Sequence, residues 1–403
     1  MPEFRFSLPA ITALYNDQQL AYNPRHSVLV TGGPGSGKTV VTIFRFLRAI
    51  GEEQEIMLFT FNRTLIYTIR GMLKASAEEL FGELNEDQID DIVKNRLSTF
   101  YQWHKDNVAY FNEDEDSDVM GENFRRYIRK KRSQQKFDEL FYDEGQDLPG
   151  NVYNNTFDLS EVVTVGADRA QNYREFYPPD EVEDIILDNL RKQFRADQQY
   201  LGGNYRNARQ IFDLAKNFVP DDLRVQDIDS SELSPGNRPE IRIGLSHGKQ
   251  MDLIIEIIEN NPNSNIGILV HFGNEVETIK NELISNGYRC DEDAPVEKSF
   301  SYYYNEMSAA DEEVLKRKFR TPFITTYESC KGLEFDIVIM ALFELSNKAM
   351  ITKNRSDRFY ATRSHYYVAV TRARNDIFIL CNRKPDVLDF YNENAQQDIL
   401  EGL

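Results

Sequence analysis

Short apolar runs alternate with longer segments of helical periodicity along most of the chain. The runs have the length of buried strands. They lie at residues 27–31, 56–60, 139–142, 162–166, 240–245, 265–270, 322–326, 336–341 and 376–381. Helical patterns lie between them at residues 40–50, 63–75, 180–193, 206–218 and 274–286. This alternation predicts an α/β protein whose parallel sheets are connected by right-handed crossovers.

Two stretches interrupt the alternation and are interpreted as small insertions between core elements. Residues 104–137 carry an acidic run at 113–116 and then a basic run at 125–132. Residues 289–321 are polar and rich in tyrosine. Basic and aromatic residues together can contact nucleic acid, but a solvated helix face accounts for the same charges. The sequence leaves both interpretations open.

Composition restricts the class of protein. A length of 403 residues suits two domains, and a hydrophobic content of 41% is enough for substantial cores. No apolar run is long enough to cross a bilayer, and the N-terminal residues lack the layout of a secretory signal. Cys290, Cys330 and Cys381 form no closely spaced pair, which argues against a zinc site or a disulfide framework. We therefore expect a cytoplasmic protein with no membrane partner.

The formal net charge of -19 argues against a protein that coats nucleic acid nonspecifically. A local basic groove is still compatible with this charge, because salt screens charges beyond about 10 Å. The acidic surface either keeps the protein soluble or faces a protein partner.

Residues 32–39 read GGPGSGKT and fit the P-loop pattern. A predicted strand precedes this stretch and a predicted helix follows it, as a P-loop requires. The glycines allow backbone N–H groups to surround phosphate oxygens, and the helix adds its positive N-terminal end. We expect Lys38 to reach the β- and γ-phosphates and the Thr39 hydroxyl to bind Mg²⁺. The other expected nucleotide contacts are Gly32, Gly35, Ser36 and Gly37.

Residues 143–147 read DEGQD directly after the apolar run at 140–142. Two adjacent carboxylates at the end of a buried strand are costly unless a cation pairs with them. With a P-loop upstream, we expect Asp143 to hold Mg²⁺, directly or through water. We expect Glu144 to orient and deprotonate the attacking water, because phosphoryl transfer needs a positioned nucleophile. An exposed acidic turn looks the same, so this prediction depends on the P-loop.

Further polar signals follow along the chain. Gln171 comes shortly after a predicted strand, where its amide could sense the γ-phosphate. Residues 204–206 read NYR, residues 331–335 read KGLEF and residues 367–374 read YVAVTRAR. Arginines in a second domain that faces the P-loop would act as fingers on transition-state charge. Taken singly, each arginine is equally well explained as a surface charge.

In this order, the motifs resemble those of superfamily 1 helicases of the UvrD/Rep type. Residues 16–19 (NDQQ) resemble the adenine-reading Q motif, with Gln19 the better match. Residues 59–63 (FTFNR) resemble motif Ia, and residues 98–100 (STF) resemble motif Ib. The DEGQD stretch matches motif II, and Gln171 falls in motif III. The NYR, KGLEF and VTRAR stretches match motifs IV, V and VI.

The resemblance implies two RecA-like domains with ATP and Mg²⁺ between them. The first would span 1–195 with a small insertion at about 104–137, and the second 196–403 with another at about 289–321. Family members carry large insertions at these places. The implied catalytic and nucleotide-binding residues in the second domain are Tyr205 on adenine, Glu334 on ribose, and Arg206 and Arg372 on the γ-phosphate. The implied contacts to single-stranded DNA are Phe61, Asn62, Thr99, Phe100 and Phe176, of which Phe176 is also compatible with a core position.

The resemblance therefore implies an ATP-driven translocase or helicase that moves 3′ to 5′ on single-stranded DNA. The residues themselves do not distinguish DNA from RNA. A second hypothesis is a nucleic-acid-stimulated switch or sensor that unwinds little and works with a protein partner. That partner would be a nuclease or another subunit of a genome-defence or repair complex. A third hypothesis, a P-loop kinase or small-molecule NTPase, is disfavoured by Gln146, Asp147 and the arginines near the C-terminal end.

Overall fold

The structure is a computed structural model. The residues that it describes are 4–6, 8–81, 85–108, 117–131, 136–148, 154–172, 178, 181–219, 228, 230–346, 350–351, 358–359 and 361–391. These residues form two six-stranded sheets, in which every strand pairing is parallel, and one short antiparallel pair. The predicted α/β fold class with two parallel sheets is confirmed. Among the described residues, no helix is both long and apolar enough to span a membrane.

The first sheet has the order β3-β2-β4-β5-β1-β6. Its strands are β1 (Ser27–Gly32), β2 (Ile56–Thr60), β3 (Leu97–Thr99), β4 (Phe137–Tyr142), β5 (Ser160–Ala167) and β6 (Ala196–Leu201). The α-helices of this domain are Asn16–Tyr22, Lys38–Gly51, Arg63–Phe81, Glu86–Arg96, Phe100–Asn107, Ser117–Lys131 and Val182–Arg191. Strands β4, β5 and β1 are neighbours, so the loops after their carboxyl ends meet at one edge of the sheet.

The second sheet has the order β7-β14-β11-β8-β10-β9. Its strands are β7 (Glu240–Arg242), β8 (Ile266–Val270), β9 (Ser301–Tyr303), β10 (Phe323–Thr326), β11 (Phe335–Met340) and β14 (Ala373–Leu380). The short pair consists of β12 (Met350–Ile351) and β13 (Arg358–Phe359). The α-helices are Arg209–Lys216, His247–Asn260, Gly273–Ser285, Ala309–Arg317 and Arg363–Val370. Strands β8 and β10 are buried along their whole length, as expected for a sheet covered on both faces.

The boundary that we expected at residue 195 is displaced by strand β6. This strand pairs with β1 from Ser27–Ala196 to Gly32–Leu201, so the first sheet continues to residue 201. Strand β6 reads ADQQYL, and only its two end residues are buried. A polar edge strand of this kind carries little apolar signal, which explains why the hydrophobic pattern did not reveal it.

The sequence predicts that residues 289–321 form an insertion outside the second sheet. The structure shows instead that part of this stretch belongs to the sheet. Its residues 301–303 form β9, which pairs with β10 as the edge strand of the sheet. Its helix Ala309–Arg317 contacts the first domain through Glu312. In the other expected insertion, 104–137, the helix Ser117–Lys131 packs on the first domain through the fully buried Phe124.

The N-terminal segment, residues 4–6, packs against the second domain although the first domain follows it in sequence. The Phe4 N–H donates to the Phe319 carbonyl at 3.0 Å, and the Phe4 ring contacts Phe335 edge-on. Phe6 also packs against the first domain, because a side chain at Gly71 would overlap its ring. The second domain is therefore assembled from two separate parts of the chain.

Candidate nucleotide site

The loop at 32–39 has the backbone of a phosphate-binding loop. Gly35 and Gly37 adopt positive φ values of 74° and 93°, which favour glycine. A Cβ at Gly35 would lie 2.4 Å from the Asn204 amide oxygen, and one at Gly37 would lie 2.3 Å from the Gln18 amide nitrogen. The Ser36 hydroxyl is buried, and no partner for it lies within the described residues. Such a hydroxyl is suited to donate to a phosphate oxygen, so the loop fits a nucleotide.

The side chain of Lys38 lies over the loop that would bind the phosphates. Its ammonium donates to the carbonyls of Gly32 at 2.7 Å and Gly33 at 2.9 Å. It also lies 3.4 Å from the carboxylate of Asp168. This position at the start of the helix Lys38–Gly51 keeps a buried positive charge within the phosphate-binding region.

Asp143 and Thr39 form an oxygen donor pair at the end of β4. The Thr39 hydroxyl donates to the Asp143 carboxylate at 3.0 Å. Burial, together with the negative charge of Glu144, raises the pKa of Asp143 to about 7. A cation would relieve both effects, and hydroxyl and carboxylate oxygens are ligands that Mg²⁺ prefers. These two residues therefore fit the magnesium ion that the sequence predicts.

Glu144 is held in a strained backbone conformation with φ of 60°, and its side chain is buried. Burial works against ionisation, but the charges of Lys331 and Lys38 outweigh it and lower the pKa of Glu144. The Gln146 amide donates to the same carboxylate at 2.7 Å. Glu144 is thus an ionised, oriented carboxylate beside the phosphate-binding loop, as a general base requires.

Residues that follow β5 extend this network toward the second domain. The backbone N–H of Asp168 donates to the Gln146 amide oxygen at 3.1 Å. The Gln171 amide nitrogen donates to the Asp168 carboxylate at 2.6 Å. The Gln171 amide oxygen accepts a hydrogen bond from the Arg372 guanidinium of the second domain at 2.7 Å. Gln171 therefore connects the two domains directly.

The second domain contributes several cations to the site. Arg372 is only 2% exposed, and Arg206 contacts the Glu334 carboxylate at 3.2 Å. Burial, and then the charge of Arg372, lowers the pKa of Arg206 to about 10. Arg374 contacts the other oxygen of Glu334 at 2.5 Å. The positive charges of clustered arginines repel one another, and a polyanionic ligand would relieve this repulsion.

Lys331 is a site residue that we did not single out from the sequence. Its ammonium contacts Asp147, lies 3.4 Å from Glu144 and donates to the Gln171 carbonyl at 3.0 Å. All of these partners belong to the first domain. The motif itself gave the position of the lysine, but the contact depends on how the two domains face each other.

The base-binding side of the site contains Tyr205 as predicted, but the glutamine next to it is Gln18. Gln18 is buried, and its amide nitrogen donates to the Ser36 carbonyl at 2.9 Å. Gln19 is exposed and donates to the Leu14 carbonyl, outside the nucleotide cavity. Adjacent residues on a helix point about 100° apart, so only one of the two can face the loop. Tyr205 stacks on Tyr15, whose role the sequence did not reveal.

These groups line one cavity of about 390 Å³ between the domains. The predicted residues among its lining are Gly35, Gly37, Lys38, Thr39, Glu144, Gln171, Tyr205, Arg206, Glu334 and Arg372. Gly32, Ser36 and Asp143 lie directly beside it through the contacts given above. The structure thus brings the predicted nucleotide residues together, with the exception of Gln19.

The predicted nucleic-acid residues divide into different environments. Phe100 is fully buried and packs edge-on against Phe59, so its predicted contact with nucleic acid is wrong for this structure. The Thr99 hydroxyl caps the helix Phe100–Asn107 by accepting a hydrogen bond from the backbone N–H of Gln102. Phe61 is 7% exposed, and Phe176 lies outside the described residues.

Asn62 links the two domains. Its amide nitrogen donates to the Lys331 carbonyl at 3.3 Å. Its amide oxygen accepts from the Thr64 hydroxyl at 2.7 Å, and Thr64 also donates to the Ser329 carbonyl. The segment that carries Lys331 therefore lies directly against Asn62 and Thr64.

The family model described as the UvrD/REP helicase N-terminal domain matches residues 14–368. No curated protein matches the chain. A solved structure described as the C-terminal domain of a possible DNA helicase from Lactobacillus plantarum WCFS1 matches with 17% sequence identity and a TM-score of 0.30. That match covers 48% of this chain and 96% of the other.

Proposed function

Because the chain belongs to the UvrD/REP helicase family, we propose that it hydrolyses ATP between its two domains to move along single-stranded DNA, in the 3′ to 5′ direction. The observation that carries this proposal is the position of Gln171. Its amide contacts Asp168 in the first domain and Arg372 in the second, beside the phosphate-binding loop. Loss of a γ-phosphate at this place would change the contacts between the domains.

In the proposed reaction, Lys38 and the loop amides bind the phosphates, while Thr39 and Asp143 would hold Mg²⁺. The metal would supply positive charge that offsets the charge of the phosphates. Glu144 accepts the proton of the attacking water as it approaches the γ-phosphate. Arg206 and Arg372 stabilise the charge that develops on the phosphoryl oxygens. Release of phosphate then removes the anion around which the arginines are arranged, and the domains separate.

Contacts between the nucleic-acid side and the catalytic side would couple binding of a strand to hydrolysis. The Asn62 amide nitrogen donates to the Lys331 carbonyl, and the Lys331 ammonium lies 3.4 Å from the Glu144 carboxylate. A shift of the 329–331 segment on strand binding would therefore change the charge environment of Glu144. We expect nucleic acid to stimulate ATP hydrolysis by this route.

The test is ATP hydrolysis by the purified protein with and without single-stranded DNA, and separately with RNA. Stimulation by DNA supports the proposed movement along DNA. Stimulation by RNA alone would show that the protein acts on RNA and not on DNA. Hydrolysis that neither nucleic acid stimulates contradicts the proposal. Displacement of streptavidin from the 3′ or the 5′ end of biotinylated strands then reports the direction of movement.

A second function, a nucleic-acid-stimulated switch with little unwinding, is favoured by contacts that join the domains outside the nucleotide cavity. The Tyr67 hydroxyl and the Arg63 guanidinium of the first domain both contact Glu312 of the second at 2.6 Å. These contacts would restrict how far the domains separate. A switch would show stimulated hydrolysis but no displacement of a strand from a forked duplex, whereas a helicase would show both.

A further inference from the structure

Two tyrosine rings stand at the mouth of the nucleotide cavity. Tyr15 precedes the helix Asn16–Tyr22, and Tyr205 follows strand β6. The ring centroids are 3.8 Å apart, and the ring planes differ by 6°. Tyr15 is 54% exposed and Tyr205 is 42% exposed, and both line the cavity. The pair is therefore about half exposed to solvent where it lines the cavity.

Tyr205 is fixed relative to the phosphate-binding loop. Its backbone N–H donates to the Gly35 carbonyl at 2.9 Å. Its ring covers Gly203, where a Cβ would lie 2.3 Å from the ring. Burial, and then the nearby charge of Asp17, raises the pKa of Tyr205 to about 12, so the hydroxyl stays neutral. These contacts hold one ring at a constant place beside a bound nucleotide.

Tyr15 is connected to the same loop through Gln18. The Tyr15 backbone N–H donates to the Gln18 amide oxygen at 3.1 Å, and the Gln18 amide nitrogen donates to the Ser36 carbonyl. The turn Ile11–Ala13 that precedes Tyr15 contains no buried residue. The backbone of Tyr15 is thus anchored to the loop, while its ring is 54% exposed.

We propose that Tyr15 and Tyr205 form a two-sided slot that takes the nucleobase of the nucleotide between their rings. Insertion of a base replaces one contact between the rings with two contacts between a ring and the base, and each such contact is favourable. The inference rests on the proposed function, because it assumes a nucleotide on the phosphate-binding loop. It adds Tyr15 as a residue that selects the base, with purines favoured because they offer a larger flat surface.

The experiment measures equilibrium binding of ATP, CTP and tripolyphosphate to the full chain and to its Tyr15 variants. We expect Tyr15→Ala and Tyr15→Leu to weaken ATP binding by about tenfold. Tyr15→Phe should remain within about twofold of the unchanged protein, because it keeps the ring. Tripolyphosphate, which has no base, should bind all of these proteins equally. In steady-state hydrolysis, Tyr15→Ala should raise KM for ATP and leave kcat unchanged.

The matched control is Tyr200→Ala, since Tyr200 has a similar exposure of 55% and does not line the cavity. It should bind every nucleotide as the unchanged protein does. Two results would overturn the slot: Tyr15→Ala that keeps full ATP affinity, or Tyr15→Ala that loses affinity for tripolyphosphate as much as for ATP. Failure of the unchanged protein to bind ATP or tripolyphosphate would instead contradict the proposed function.

Discussion

The ammonium of Lys331 in the second domain is hydrogen-bonded to the carboxylate of Asp147 in the first, and the two side chains are 1% and 0% exposed. Burial alone would lower the pKa of Lys331, but Asp147 and Glu144 outweigh it and raise it. Each group compensates the charge of the other in a region with little water. The pair is therefore a fully buried contact between opposite charges of the two domains.

Lys331→Met should destabilise the protein by about 3–5 kcal/mol, because it leaves the buried Asp147 without its cation. The measurement is the free energy of unfolding in urea. A double-mutant cycle with Asp147→Asn should return a coupling energy of at least about 1 kcal/mol. Lys316→Met serves as the control, since that lysine is on an exposed helix surface. Additive effects of the two substitutions would show that the pair does not contribute to stability.

Glu144→Gln should keep ATP binding and reduce hydrolysis by about 10²–10⁴-fold, because glutamine cannot accept the proton of water. Binding is measured by calorimetry and turnover by phosphate release. Glu161→Gln is the matched control, since Glu161 lies exposed on β5 in the same domain. Turnover at the normal rate in Glu144→Gln would exclude this residue as the general base.

Arg372→Lys should slow single-turnover hydrolysis by about 10³-fold while ATP affinity changes little. Lysine keeps the charge but cannot contact both Gln171 and a phosphoryl oxygen with a planar group. Arg383→Lys, at an exposed position of the same domain, should hydrolyse ATP normally. Equal losses in the two variants would point to a general effect of the substitution and not to a role at the γ-phosphate.

Glu275 should make stability depend on pH. Burial raises its pKa from the ordinary 4.5 to about 7, although the backbone N–H groups of Phe272 and His271 donate to it. The unfolded chain loses this proton at lower pH than the folded protein, so stability falls as the pH rises from 4.5 to about 7. Glu275→Gln should remove roughly 2–3 kcal/mol of this fall.

Urea unfolding of Glu275→Gln at about pH 5 and about pH 8 measures this difference. Glu256→Gln, an exposed position on the helix His247–Asn260, should keep the pH dependence of the unchanged protein. An identical pH dependence in Glu275→Gln would show that this carboxyl has an ordinary pKa.

The nucleotide side of the site could be predicted because its residues follow predicted strands. Strands β4, β5 and β1 are neighbours in the sheet. The phosphate loop, Asp143 and Gln171 follow these strands and therefore lie together at one sheet edge. The residues are also consecutive or nearly so within each loop. Local sequence was enough for this part of the site.

Other features depend on orientation, which sequence alone does not give. The choice between Gln18 and Gln19 depends on the rotation of one helix, and the burial of Phe100 depends on packing around Phe59. Strands β6 and β9 lie at sheet edges, where polar residues or short length weaken the apolar pattern. The contact of Lys331 with Asp147 requires both domains to be in place.

The attachment of the N-terminal segment to the second domain constrains the order of folding during synthesis. The first domain has all its strands once residue 201 has left the ribosome, and domains generally fold as they emerge. Phe4, however, docks on Phe319 and Phe335, which are synthesised after the whole first domain. We therefore expect this segment to stay undocked while the first domain folds, and to dock only when the sheet of the second domain forms.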